Sequence, residues 1–236
     1  MAGLTPKLLY AHGFASGPSS TKGVALAEHL ARRGLRLELL DLRVPGGSSD
    51  PSNLRLSAML ELVRSAIGTA KQAVVMGSSM GGIVAARVAE REPRVVATVL
   101  MAPAFRFADP IVGPFAQLLP RWRDEGVLDF PDYATGSVLH VPFAFIEDAA
   151  TVDGDAPRED PKLAEGFGPC WPDVRVPTTI IHGARDASVS IDLSRRFAKG
   201  RPHVRVVEVD DDHQLVASIP RIKKEVDRVL ADLAIG

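Results

Sequence analysis

The hydrophobic positions along this chain follow two rhythms. Short, largely apolar runs rich in β-branched residues recur at Lys7–Phe14, Leu35–Arg43, Gln72–Met76, Arg94–Met101, Thr178–Gly183 and Val204–Val209. Runs of this length read as buried strands. Between them apolar residues return every three or four positions. The stripes are Val24, Ala27, Leu30 and Ala31; Leu56, Leu60, Val63 and Ile67; Ile83, Val84, Ala86 and Val88; Ile191, Ser194 and Phe197; and Ile219, Ile222, Val226, Val229 and Leu233. Such spacing lines one face of a helix. The first helix ends at Gly34, the third must stop by Pro93, and the last begins near Gln214. Ser and Thr residues between Ser16 and Thr21 are placed to cap the first helix. Six strands alternating with helices predict an α/β fold: a mostly parallel sheet with helices on both faces. Ligands of such sheets bind beyond the carboxyl ends of the strands.

From Pro103 to Val176 the alternation lapses. Prolines and glycines are frequent, and Phe105, Phe107, Phe115, Trp122, Phe130, Phe143, Phe145 and Trp171 are spread among them. Val127–Phe130 and Ser137–Val141 can pair as a small hairpin. Residues 104–176 read as a cap-like insertion within a single domain covering 1–236. Its aromatics either wall a binding site or form ordinary core beneath a long loop.

Composition narrows the partners. The chain has 236 residues, enough for one α/β domain that buries about 70% of its unfolded surface. The formal net charge is −1, and the one block of like charge, Asp210-Asp211-Asp212, reads as a solvated run. Nucleic-acid binding needs a basic stripe, and the sequence has none, so no nucleic-acid partner is expected. No apolar run approaches the ~20 residues of a membrane span. The amino terminus lacks a charged-then-apolar signal design. Cys170 is the sole cysteine, which excludes an intrachain disulfide. A cytoplasmic protein without a membrane span is expected; oligomeric state stays open.

The chemistry concentrates at Gly77-Ser78-Ser79-Met80-Gly81, a G-x-S-x-G pattern between a buried strand and a helix. Glycines on either side make room for a turn sharp enough to push Ser79 out at the carboxyl end of the strand. Helix-start amides beside it can stabilise an oxyanion. The bland alternative is a tight turn whose serines only cap the helix. A serine hydroxyl needs a base, and histidine is the usual one. Of six histidines, His29 and His203 read as surface, His140 as part of the hairpin, and His12 and His182 as structural. His213 follows the last strand, where a base has to sit; capping the next helix or plain solvation is its blander role. Asp186, in the loop after Thr178–Gly183, is the acid expected to orient it, with Asp109 as a substitute; a turn former or a partner for Arg185 is its plainer role. The backbone N–H of Phe14, after His12-Gly13, is expected to join that of Met80 as the pair of oxyanion donors; a plain βα turn is the blander reading.

The order Ser79, Asp186, His213 is that of α/β-hydrolases, which the sequence resembles over nearly its whole length. The His-Gly-Phe-x-Ser-x-Pro-x-Ser run from His12 to Ser20, with Gly-Ser-Ser-Met-Gly-Gly, is similar to small bacterial YqiA-like serine esterases. Strands that precede the first core strand in larger relatives are expected to be missing. No His-Gly-Gly-Gly run is present, so the oxyanion loop of hormone-sensitive-lipase-like enzymes is not implied. The resemblance implies a serine hydrolase acting on a small-molecule carboxylic ester or thioester, with no metal or organic cofactor. The rival from another class is a catalytically silent ligand-binding or scaffold protein on the same fold.

Overall fold

The computed structural model describes residues 5–43, 54–153 and 171–234. The loop expected at 45–51, Cys170, and residues 154–170 of the cap-like segment lie outside these.

Six strands form one parallel sheet: β1 (Lys7–Ala11), β2 (Leu37–Leu40), β3 (Ala73–Ser78), β4 (Val95–Met101), β7 (Thr178–Gly183) and β8 (Val204–Val209), in the order β2-β1-β3-β4-β7-β8. Every residue of β3 and β7 is buried. That is the burial expected of inner strands covered on both faces, and it explains their unbroken apolar runs. Alternate side chains feed two separate layers. Leu8, Tyr10, Val74 and Met76 meet helices α1 (Thr21–Ala31) and α7 (Ile219–Asp232) on one face. Leu9, Ala11 and Val75 meet α2 (Leu56–Ile67), α3 (Met80–Arg91) and α6 (Ile191–Ala198) on the other.

The segment after β4 is more ordered than its composition suggests. It holds α4 (Leu119–Glu125), the antiparallel hairpin β5 (Val127–Pro131) and β6 (Val138–Pro142), and α5 (Ala144–Asp153). Neither helix shows a long stripe in the sequence, because α4 has only 7 residues and α5 only 10. Phe105, Phe107, Trp122, Phe145 and Trp171 are buried and belong to the same apolar layer as α2 and α3. The Trp122 indole N–H donates to the Val141 carbonyl at 2.8 Å, tying α4 to the hairpin. Asp148 of α5 receives the Ser57 amide at 2.8 Å and its hydroxyl at 2.5 Å, and so caps the first turn of α2 from 91 positions away.

Several boundaries differ from the sequence reading. β1 stops at Ala11 because the chain turns at His12, whose buried ring accepts the Leu42 amide at 2.9 Å. The last helix starts at Ile219, not near Gln214: Leu215 has φ 54°, and the Asp211 carboxylate accepts the Ser218 amide at 2.8 Å. Asp211 is therefore buried and structural, not part of a solvated run. Ser20 occupies the cap position of α1, but its side chain makes no capping bond. No described helix is long and apolar enough to cross a membrane.

Candidate active site

The turn between β3 and α3 is built by glycines for steric reasons. A Cβ on Gly77 would overlap the Gly81 carbonyl, one on Gly81 would overlap the carbonyls of Ala11 and His12, and one on Gly82 would lie 2.9 Å from Pro103. Backbone cannot yield as a side-chain tip can, so only glycine lets β3 turn sharply into a helix lying against β1. Ser79 takes up the bend at φ 54° and ψ −117°, a conformation costly for any residue with a Cβ. Its carbonyl accepts the amides of Gly82 and Ala104, which hold the strained backbone in place. Although Ser79 stands at the cap position of α3, its side chain makes no capping bond.

The Ser79 hydroxyl instead meets His213. Ser79 Oγ lies 2.9 Å from His213 Nε2, across 134 positions of sequence. His213 Nδ1 lies 2.7 Å from Asp186 Oδ2. A carboxylate only accepts, so Nδ1 carries the ring hydrogen and the Nε2 lone pair faces the hydroxyl. His213 is held over the sheet end because a Cβ on Gly183, where β7 ends, would overlap the backbone of Asp211, and 2.6 Å would separate it from the Asp212 carbonyl. Gly183 thus lets the loop after β8 cross close above β7.

Asp186 is saturated. Its Oδ1 accepts the amides of Ser188 at 2.9 Å and Val189 at 2.8 Å, and its Oδ2 faces His213 and, at 3.1 Å, His182 Nε2. Burial pushes the Asp186 carboxyl upward. Hydrogen bonds from His182, His213 and the Val189 amide outweigh it and hold the group well below the usual carboxylate range. Arg185 does not pair with Asp186; it reaches Asp210 at 2.7 Å. Asp109, the substitute acid, pairs with Arg106 and accepts the amides of Ile111 and Val112.

The turn after β1 abuts the same serine: a Cβ on Gly13 would stand 3.4 Å from Ser79 Cβ. Met80 begins α3 and has no carbonyl behind it in the helix. Among the described residues, neither its amide nor that of Phe14 donates a hydrogen bond. The Phe14 ring packs edge-on against Phe115 and Phe130, with centroids 5.0 Å away in each case, and stacks on Phe145 at 5.7 Å. The hairpin turn adds a backbone bond from the Tyr133 amide to the Ala15 carbonyl at 2.8 Å.

Two partners escaped the sequence reading. Lys22 of α1 donates to the Gln214 carbonyl at 2.6 Å, beside His213. Burial pushes its pKa down to about 8 against the pull of Asp212, Asp211 and Asp186. His182 was read as a satisfied core histidine, which it is, but one of its contacts is Asp186. The i, i+4 spacing of His182 and Asp186 across a strand-end turn was the available signal. His29 and His203 are likewise bonded, to Asp227 and to the Val174 carbonyl, each at 2.8 Å, and are not simply solvated. Among the described residues, no group of His, Cys, Asp and Glu is arranged to hold a metal ion.

Comparison with known proteins agrees with the architecture. The profile of an uncharacterised protein family, UPF0227, matches residues 7–230. No curated protein sequence matches the chain. Among solved structures, alpha/beta hydrolase domain-containing protein 10 from mouse is similar with a TM-score of 0.72 at 20% identity, covering 99% of this chain and 92% of that one. Est1E from Butyrivibrio proteoclasticus, with ferulic acid bound, gives 0.67 at 18% identity, covering 96% and 90%. An esterase from Pyrococcus furiosus gives 0.60 at 17%, covering 98% and 84%. The fold is that of the α/β-hydrolases.

Proposed function

The chain belongs to the uncharacterised protein family UPF0227, and we propose that it is a serine hydrolase cleaving small-molecule carboxylic esters or thioesters. One observation carries the reading: a strained, uncapped Ser79 hydroxyl 2.9 Å from a His213 whose far nitrogen is 2.7 Å from a buried carboxylate. A serine that served only the helix would point its oxygen at the amides of α3.

In this reaction Ser79 Oγ attacks the carbonyl carbon while His213 Nε2 takes its proton. Asp186 keeps Nδ1 protonated and steadies the imidazolium. The carbonyl oxygen becomes an anion held by the amides of Met80 and Phe14. Collapse breaks the bond to the leaving alcohol or thiol, which receives the proton from His213. An acyl group then remains on Ser79. Water, deprotonated by His213, attacks that acyl group, and the carboxylic acid leaves as Oγ regains its proton. The described part of the cap-like segment covers this centre, with Phe115, Phe130 and Phe145 packing against Phe14 in the turn after β1. The ester class is supported by the neighbours' own descriptions: one is an esterase from Pyrococcus furiosus, and another, Est1E, holds ferulic acid, a carboxylic acid.

A fluorophosphonate probe tests the assignment. Labelling at Ser79 in the intact protein, absent in Ser79→Ala, is expected, together with turnover of p-nitrophenyl esters and coenzyme A thioesters across a series of acyl lengths. A folded protein that takes no label would favour a silent binding protein instead.

A further inference from the structure

Asp186 Oδ2 faces two imidazoles, and only one of them reaches Ser79. The second, His182, is the last residue but one of β7 and is fully buried. Its Nε2 lies 3.1 Å from Asp186 Oδ2 and 3.0 Å from the Val189 carbonyl. Both neighbours are acceptors, so Nε2 carries a hydrogen shared between them. On the other side Nδ1 lies 2.7 Å from the hydroxyl of Ser194 on α6, itself fully buried. A neutral ring with its hydrogen on Nε2 accepts the Ser194 O–H at Nδ1, which fixes both the tautomer and the plane of the ring. The bonds run in series from Ser194 through His182, Asp186 and His213 to Ser79.

A core histidine kept only for packing has no need to donate to the one carboxylate that faces His213. We propose that His182 is a positioning residue for the acid: its Nε2–H turns Asp186 Oδ2 toward His213 and disperses part of the carboxylate charge, so setting how strongly His213 holds its proton. This rests on the serine hydrolase reading above. A carboxylate that shares its charge with a second donor is a weaker partner for an imidazolium. Loss of the His182 donor therefore leaves a stronger anion against His213, and the pH at which His213 becomes available as a base rises. The other charged groups around this pair are Lys22 beside Gln214, Asp211 and Asp212 in the His213 loop, and Glu208 on β8 near His182. Of these, Glu208 interacts electrostatically with His182 and pairs with it across the two strands, so a substitution at position 182 acts on it as well.

The test follows the rate of fluorophosphonate labelling at Ser79 against pH, which needs no knowledge of the natural substrate. His182→Leu removes the donor. It is expected to move the acid limb of the labelling profile upward by about half a pH unit or more and to lower the rate on the plateau about tenfold. His182→Gln returns an N–H near the place of Nε2 and is expected to restore the wild-type limb. Ser194→Ala, a milder change that frees the ring, is expected to shift the limb the same way by a smaller amount, and serves if His182→Leu does not fold. Circular dichroism verifies the fold of each variant. Folded variants whose acid limb coincides with the wild type overturn the role of His182 while leaving the serine assignment intact. Absence of labelling in the wild type instead removes the reading on which it rests.

Discussion

A methyl group on Gly81 would overlap the carbonyl oxygen of Ala11, so α3 and β1 approach as closely as two backbones allow. This contact brings the turn after β1 against Ser79, and it has a direct consequence for stability. Gly81→Ala is expected to destabilise the fold by ~3 kcal/mol or more, because both sides of the clash are main chain. Urea unfolding measures it. Wild-type stability in that variant would mean that the two elements do not meet at this distance.

Asp186→Asn replaces an acceptor with a group that can present N–H to His213. The ring then carries its hydrogen on Nε2 and offers no lone pair to Ser79. Turnover of a p-nitrophenyl ester is expected to fall by about 10³–10⁴ in kcat with a smaller change in KM. A loss below tenfold would remove Asp186 from the role given to it.

Phe14 is proposed to lend its amide to the oxyanion, and its ring packs in the cluster of Phe115, Phe130 and Phe145. Phe14→Ala is expected to cost ~2–4 kcal/mol in chemical denaturation and to slow fluorophosphonate labelling, since the turn loses its anchor. Phe14→Leu should recover part of both. Slower labelling without loss of stability would separate the two jobs of this residue.

Acid stability has a contributor far from the serine. Glu92 is buried, and its pKa is lowered to about 2, first by hydrogen bonds from Arg94 Nε at 2.8 Å and Nη2 at 2.9 Å. A carboxylate whose folded value lies below its unfolded one stabilises the fold fully above the unfolded value and loses that contribution as pH falls toward the folded one. The stability gap between wild type and Glu92→Gln is therefore expected to be constant above about pH 5 and to shrink between about pH 4.5 and 2. Denaturation midpoints across that range check it. A gap that widens with acid would reverse the assigned sign.

What the sequence disclosed, and what it withheld, follows from the range of the forces involved. The inner strands β3 and β7 were legible because burial on both faces leaves continuous apolar runs. Ser79 stood out because only glycines fit the turn around it. The end of β1 and the start of α7 were misplaced, since single polar contacts that no apolar pattern encodes set them, His12 with Leu42 and Asp211 with Ser218. The helices of the 104–176 segment were missed for a related reason. The two described ones are short and lean on their neighbours, α5 on α2 and β6 and α4 on β5, so neither carries a long stripe of its own. His182 was judged by its burial alone. Burial said nothing of which carboxylate its ring would meet.

Trp122, Phe107 and Phe145 share one continuous apolar layer with α2 and α3. Lifting the 104–153 region off as a hinged flap would bring that whole layer into water. Ser79 is itself only partly buried, so reaching it does not require that movement. A truncated ring in this region would therefore be felt first as lost stability, as at any other core position.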